Sequence, residues 1–186
     1  MEEPNTQIYH EGQKLQFCLL HALNNLFQEK DTFTRAELNT ISENLLAQDP
    51  EKPNWTPFSF VFKPHHNSLT GNYDVNVLIA ALESKSKTVI WHDRRNDVSS
   101  INFDGSESGD GKSLMGIVIN VPVRKFGGIW RSRHWVTIRK VGSVWYNLDS
   151  DFVEPQAFRD ANELKEFLGA CIGVGAEVFL VMNGKE

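Results

Sequence analysis

The chain has 186 residues, 40% of them hydrophobic and 11% aromatic, enough for one core and one domain, at most with a small subdomain. Its 19 Lys and Arg stand against 24 Asp and Glu, a formal net charge of −5, so the basic footprint of a nucleic-acid binder is missing. The acidic start MEEPNTQIYH lacks the apolar run of a secretory leader, and no stretch approaches the ~20 apolar residues that span a bilayer.

The cytoplasm is therefore the expected compartment, with the nucleus as a second address. In such reducing surroundings the two cysteines, Cys18 and Cys171, are expected as free thiols. With six scattered histidines they form no zinc pattern. His65 and His66 sit in a Pro- and Asn-rich loop without a second ligand cluster. No metal or other cofactor is expected.

Residues 1–12 read as a polar lead-in. A first helix is predicted from about Cys18 to Gln28, where Leu19, Leu23, Leu26 and Phe27 repeat at helical spacing. Cys18, His21, Ala22 and Asn25 fall on another side, which puts Cys18 in the first turn with its sulfur off the apolar stripe. A second helix, Thr34 to Ala47, opens on the capping-box pair Thr34 and Glu37 and ends at Asp49-Pro50. Residues 49–72 carry Pro50, Pro53, Pro57 and Pro64. They read as a long projecting or substrate-facing segment with the aromatic run WTPFSFVF.

A third helix is predicted over Asp74 to Ser84, then a strand over Thr88 to Trp91. Residues 92–113, which contain DGSESGDGK, have the composition of a mobile surface loop. Leu114 to Val121 is an apolar run expected as a central strand, and PVRKFGGIWRSR (122–133) is expected as a basic loop. HWVTIRKV and VWYNL alternate in polarity about Gly142-Ser143, which predicts a β-hairpin. A helix from Ala161 to Cys171 and a strand from Ala176 to Met182 close the chain. Helices first and strands later point to an α+β fold.

The chemistry centres on Cys18. A thiol hydrolase needs a thiolate, and unpaired N–H groups at a helix start favour one. Its partner follows from the hairpin. With a two-residue turn at Gly142-Ser143, Val136 faces Asp149, and His134 lies two residues along, a diagonal pair about 7–8 Å apart between backbones. A three-residue loop would point Asp149 away. His134 is thus the candidate base and Asp149 its orienting carboxylate, as in Cys-His-Asn/Asp variants of the triad. Gln13, five residues before Cys18, is the candidate oxyanion donor together with the Cys18 backbone N–H. Each residue also has an ordinary reading: a core cysteine, a solvated histidine, a strand-ending aspartate. His21 is nearer Cys18 in sequence but shares its helix, and is read as structural. Cys171, inside an apolar helix, is read as inert.

These residues lie in motifs that resemble the Josephin family of cysteine deubiquitinases: YHEGQ (9–13), CLLHALNNL (18–26), GNYDVNVLIAAL (71–82), HWVTIRK (134–140) and WYNLDS (145–150). The likeness runs from Tyr9 to Val181. GNYDVNV and the lack of a tail are closest to the short Josephin proteins, rather than the ataxin-3 type with ubiquitin-interacting motifs and a glutamine tract.

The resemblance implies a papain-like fold, an antiparallel sheet packed against a helical lobe, in a single catalytic domain over 1–186. Residues of roughly 29–70 would form a helical arm gating the cleft. It implies a monomer that cleaves ubiquitin conjugates after the terminal glycine of ubiquitin, with ubiquitin and ubiquitinated proteins or polyubiquitin as partners. By position Cys18 is then the nucleophile, His134 the general base and acid, Asp149 the orienting residue and Gln13 the oxyanion glutamine. Val75 falls at an apolar ubiquitin contact, and Lys85 stands where ataxin-3 has Trp. Trp135 and the Phe126–Trp130 loop are candidate walls of a cleft narrow enough for a diglycine tail. The rival expectations are a ubiquitin-binding protein with weak or regulated activity, and a papain-like enzyme with another acyl substrate.

Overall fold

A computed structural model describes residues 7–13, 17–48, 73–104, 111–125 and 130–184. Four helices and six strands lie among them: α1 (Cys18–Phe27), α2 (Arg35–Gln48), α3 (Val75–Ser84), β1 (Lys87–His92), β2 (Leu114–Lys125), β3 (Trp130–Val141), β4 (Val144–Asn147), β5 (Gln156–Ala157), α4 (Ala161–Gly173) and β6 (Glu177–Asn183). The strands form one sheet in the order β1-β6-β2-β3-β4-β5, with every neighbouring pair antiparallel. This is the α+β, papain-like arrangement. Of the expected arm over roughly 29–70, residues 49–70, with the His65–His66 loop and the WTPFSFVF run, lie outside the described residues.

Local chemistry sets the helix starts. Thr34 and Glu37 form the reciprocal capping box at α2, with the Thr34 N–H reaching Glu37 at 2.7 Å and the Glu37 N–H reaching Thr34 Oγ1 at 3.3 Å. Asp74 caps α3 by accepting the N–H groups of Asn76 and Val77, and Asp160 caps α4 through Asn162 and Glu163. The start of α1 differs. Phe17 stands at its N-cap with no side-chain cap, and no acid lies in its first turn.

The sheet has a core on each side. On one, Leu19, Leu23 and Leu26 of α1, Leu38 of α2 and Leu78 and Leu82 of α3 meet Val118, Trp135, Phe179 and Val181. On the other, Leu164 and Leu168 of α4 meet Ile117, Ile119, Val136, Ile138 and Val178. The helical lobe is therefore only half of the covering. Ile101 and Phe103 are 6% and 4% exposed in this second core, and Val98–Ser100 form a 3-10 turn beside them. The expectation of a mobile loop over 92–113 is corrected for 98–103: two apolar side chains pin it to the sheet. Residues 105–110 lie outside the described set.

Two further expectations change. Pro122 to Lys125 and Trp130 to Arg133 are not loop but paired strand, from Pro122↔Arg133 to Lys125↔Trp130. Pro122 lies past the last β2–β6 pair, Asn120↔Glu177, so its missing N–H falls where β2 has a single neighbour. And α1 is buried on more than its leucine stripe: Cys18, Ala22, Asn24 and Asn25 are each at most 4% exposed. Thr137 of β3 donates its hydroxyl to the Ala22 carbonyl at 2.6 Å, so the helix is laid directly on the strand. Close approach is also why residue 116 has no side chain. A Cβ there would stand 2.6 Å from Leu26 Cδ1 and 2.9 Å from the Ile138 carbonyl oxygen.

Candidate functional site

The hairpin carries the expected register. Ile138 pairs with Asn147, Arg139 with Tyr146 and Val141 with Val144 across the two-residue Gly142-Ser143 turn. Gly142 has φ +60°, the conformation that the first central residue of a type II′ turn requires. Leu148 N–H still bonds the Thr137 carbonyl at 2.8 Å, and then the chain turns. Asp149 N–H bonds Asn147 Oδ1 at 3.1 Å, and Asp149 Oδ1 accepts the Asp151 N–H at 2.9 Å. This pair of Asx turns aims the Asp149 carboxylate at His134, whose Nε2 lies 2.6 Å from Asp149 Oδ1.

Cys18 lies close enough to act on the His134 ring as well. With Nε2 taken by Asp149, Nδ1 is the nitrogen left for the thiol. Burial works against the imidazolium, but the hydrogen bond to Asp149, the Cys18 side chain and the charges of both overcome it, so His134 is pushed up to about 10. Cys18 itself is 4% exposed. The structure thus brings Cys18, His134 and Asp149 together from α1, β3 and the turn after β4.

Gln13 joins the same turn from the other end of the chain. Its N–H donates to the Ser150 carbonyl at 2.6 Å, and its side-chain Oε1 accepts from Ser150 Oγ at 3.2 Å.

The His134, Asp149 and Asp151 ligand atoms lie within 4.8 Å of one another, the one such metal-ligand grouping among the described residues. Nε2 carries the proton shared with Asp149, however, and Asp151 Oδ2 is 3.7 Å away with its side chain 59% exposed. An orienting hydrogen bond accounts for the arrangement without an ion.

The two expected contact residues are buried. Val75 is 1% exposed and Trp135 3% exposed, both in the core on the α1 side of the sheet. Trp135 donates its indole N–H to the Tyr73 carbonyl at 3.0 Å and lies 6.0 Å from the Phe179 ring. Neither presents surface to a ligand, because the sheet and α3 need their apolar bulk. Lys85 places its ammonium 5.2 Å from the Phe33 ring centre. Residues 126–129 of the proposed cleft wall lie outside the described set. Cys171 is half-buried in α4, and burial pushes its thiol up to about 11.

Sequence reasoning missed the polar strap over Tyr9–Gln13. The Glu11 carboxylate accepts from the Tyr9 hydroxyl and from Asn24 Nδ2 at 3.1 Å, and lies 2.7 Å from His21 Nδ1. Burial acts to raise the Glu11 carboxyl, but the hydrogen bonds from His21, Tyr9 and Asn24 and the His21 charge carry it below the usual range. Asn25, 0% exposed, accepts the Glu11 N–H at 2.6 Å and donates to the Leu148 carbonyl at 3.0 Å. His10 Nε2 lies 3.0 Å from the Asp149 carbonyl oxygen. His21 is therefore turned to the strap. The signal was present in YHEGQ and ALNN, polar residues crowded at the ends of an apolar helix, but their partners lie far along the chain.

The Josephin family pattern matches residues 13–182. The chain belongs to the Josephin family. It is 61% identical over 168 residues to a Josephin-like protein of Arabidopsis thaliana, covering 90% of this chain and 45% of that protein. It thus spans less than half of that relative's length. Human Josephin-2 is 35% identical over 182 residues, 95% of this chain and 86% of that one. Human ataxin-3 is 26% identical over 178 residues, 94% of this chain and 45% of that one. Within this Josephin domain no described helix is long and apolar enough to cross a membrane.

Proposed function

We propose that the chain is a thiol-dependent deubiquitinase acting as a single catalytic domain on ubiquitin conjugates. What supports this is the setting of His134, with Asp149 2.6 Å from Nε2 and Cys18 near enough to raise the ring, in a Josephin chain. His134 takes the Cys18 proton, and the sulfur attacks the carbonyl carbon of the last glycine of ubiquitin. The oxyanion forms against the Gln13 amide and the Cys18 N–H, supported by the uncapped first turn of α1. The C–N bond breaks as the imidazolium protonates the leaving amine. Water, deprotonated by His134, then cleaves the thioester and returns the thiol. Asp149 keeps the ring oriented and favours its charged form.

The test is capture by ubiquitin bearing a C-terminal electrophile. Wild type is expected to form a 1:1 covalent adduct and Cys18→Ala none, and Asp149→Ala is expected to keep more activity than Cys18→Ala or His134→Ala. A folded wild type that neither forms the adduct nor cleaves any ubiquitin substrate sinks the reading. Binding of ubiquitin retained in Cys18→Ala, with negligible wild-type turnover, would favour a ubiquitin-binding protein instead.

A further inference from the structure

Asp149 and Ser150 are consecutive, yet their side chains meet different partners. The Asp149 carboxylate meets His134, and the Ser150 hydroxyl donates to Gln13 Oε1 at 3.2 Å. Ser150 is 3% exposed, so this hydroxyl is withdrawn from solvent. A primary amide has an acceptor end and a donor end, and only the donor end can stabilise an oxyanion. Fixing Oε1 on Ser150 decides which end is left over. No hydrogen bond of Gln13 Nε2 to a described residue competes for it. The Gln13 N–H to Ser150 carbonyl bond, at 2.6 Å, places the backbone from which the side chain starts.

We propose that Ser150 is a positioning residue that sets the rotation of the Gln13 amide, so that its NH2 rather than its carbonyl faces the developing oxyanion. The proposal rests on Gln13 as oxyanion donor in the hydrolase described above. One turn then serves both halves of the reaction. Residue 149 steers the proton carrier and residue 150 steers the charge stabiliser. Replacing the hydroxyl frees the amide to flip or swing while the backbone bond keeps the strap in place.

Two reactions of the Cys18 thiol separate this role from a structural one. Acylation by p-nitrophenyl acetate forms a C–S bond, breaks the C–O bond to nitrophenol and passes through a tetrahedral oxyanion. Alkylation by iodoacetamide displaces iodide and forms no oxyanion. Both need the same thiol and the same His134. In Ser150→Ala, acylation is expected to fall about tenfold, a fraction of the ~10²–10³ lost when an oxyanion donor is removed altogether. The alkylation rate and its pH profile are expected to stay within twofold of wild type. In a Gln13→Ala background, Ser150→Ala should add no further loss. Ser150→Thr, which retains the hydroxyl, should keep most of the acylation rate.

Unchanged acylation in Ser150→Ala overturns the proposal. Parallel loss of acylation and alkylation overturns it too, because Ser150 would then act by holding the Asp149 turn. So do losses that multiply with those of Gln13→Ala, and so does a wild type that is not acylated. Running a ubiquitin C-terminal amide beside the ester keeps the two readings apart. The expected split on the ester with no turnover of the ubiquitin substrate supports Ser150 and sinks only the ubiquitin assignment.

Discussion

Replacing Asn25 by Ala strikes the joint between the strap and the turn. The side chain is 0% exposed and accepts from the Glu11 N–H at 2.6 Å. Its amide nitrogen donates to the Leu148 carbonyl at 3.0 Å and, more weakly, to the Glu11 carbonyl at 3.4 Å. Truncation removes the acceptor of one backbone N–H and a donor to one backbone carbonyl, each worth about 1–3 kcal/mol when left buried without a partner. A total loss near 2–4 kcal/mol is expected, since the weakest contact adds little. For a domain of this size that lowers Tm by about 5–15 °C. Urea unfolding monitored by tryptophan fluorescence reads the free energy, and calorimetry reads Tm. Activity measured well below the new Tm should also fall, because residue 148 adjoins Asp149. Asn25→Leu, which restores bulk without hydrogen bonds, should recover little. An Asn25→Ala protein within about 0.5 kcal/mol of wild type would refute the reasoning, since ordinary surface changes reach no further than that.

Gly116→Ala should destabilise by about 1–3 kcal/mol, because the Ile138 carbonyl at 2.9 Å cannot yield without moving β3. Gly169→Ala in α4, with nothing within 4 Å, should instead stabilise by about 0.5–1 kcal/mol, and denaturation curves of the two should shift in opposite directions. His134 is raised from 6.5 to about 10, so the folded state holds its proton more tightly than the unfolded state. Its contribution to stability is full below about 6.5 and is lost as pH rises through about 10. The stability advantage of wild type over Asp149→Asn should therefore decline across that window, and NMR titration of the His134 ring should show no midpoint near 7 in wild type.

What could be read from the chain depended on how local the cause was. The hairpin was legible because alternation about Gly142-Ser143 fixes pairing by counting, and Asp149 followed from the same count. The capping pair Thr34–Glu37 was legible because its two members lie three residues apart. The strap was not. Glu11 and Asn25 are ordinary polar residues until the fold brings Leu148 to them. Ile101 and Phe103 were hidden in a stretch whose Gly, Ser and Asp content dominated the reading. Pro122 disguised the end of β2, since a proline argues against a strand unless one side of it is known to be empty. The apolar stripe of α1 was real but incomplete, because periodicity names the most apolar face and cannot report that the opposite face is covered too. Val75 was placed at a ligand by resemblance and Trp135 by its position beside His134, and both are buried in the core.

The strap also bears on the order in which the protein is made. Tyr9–Gln13 leave the ribosome early, but their partners on the turn follow much later: Ser150 comes 137 residues after Gln13, and Asp149 comes 139 residues after His10. Cys18 emerges with its helix long before either His134 or the residue that steers it. A nascent or prematurely terminated chain that lacks the turn after β4 has a thiol without its imidazole partner's guide and a glutamine without its anchor. Closing these long loops is slow compared with forming α1. Cys18 therefore lacks its proposed partners until the turn after β4 has been made and has met Tyr9–Gln13.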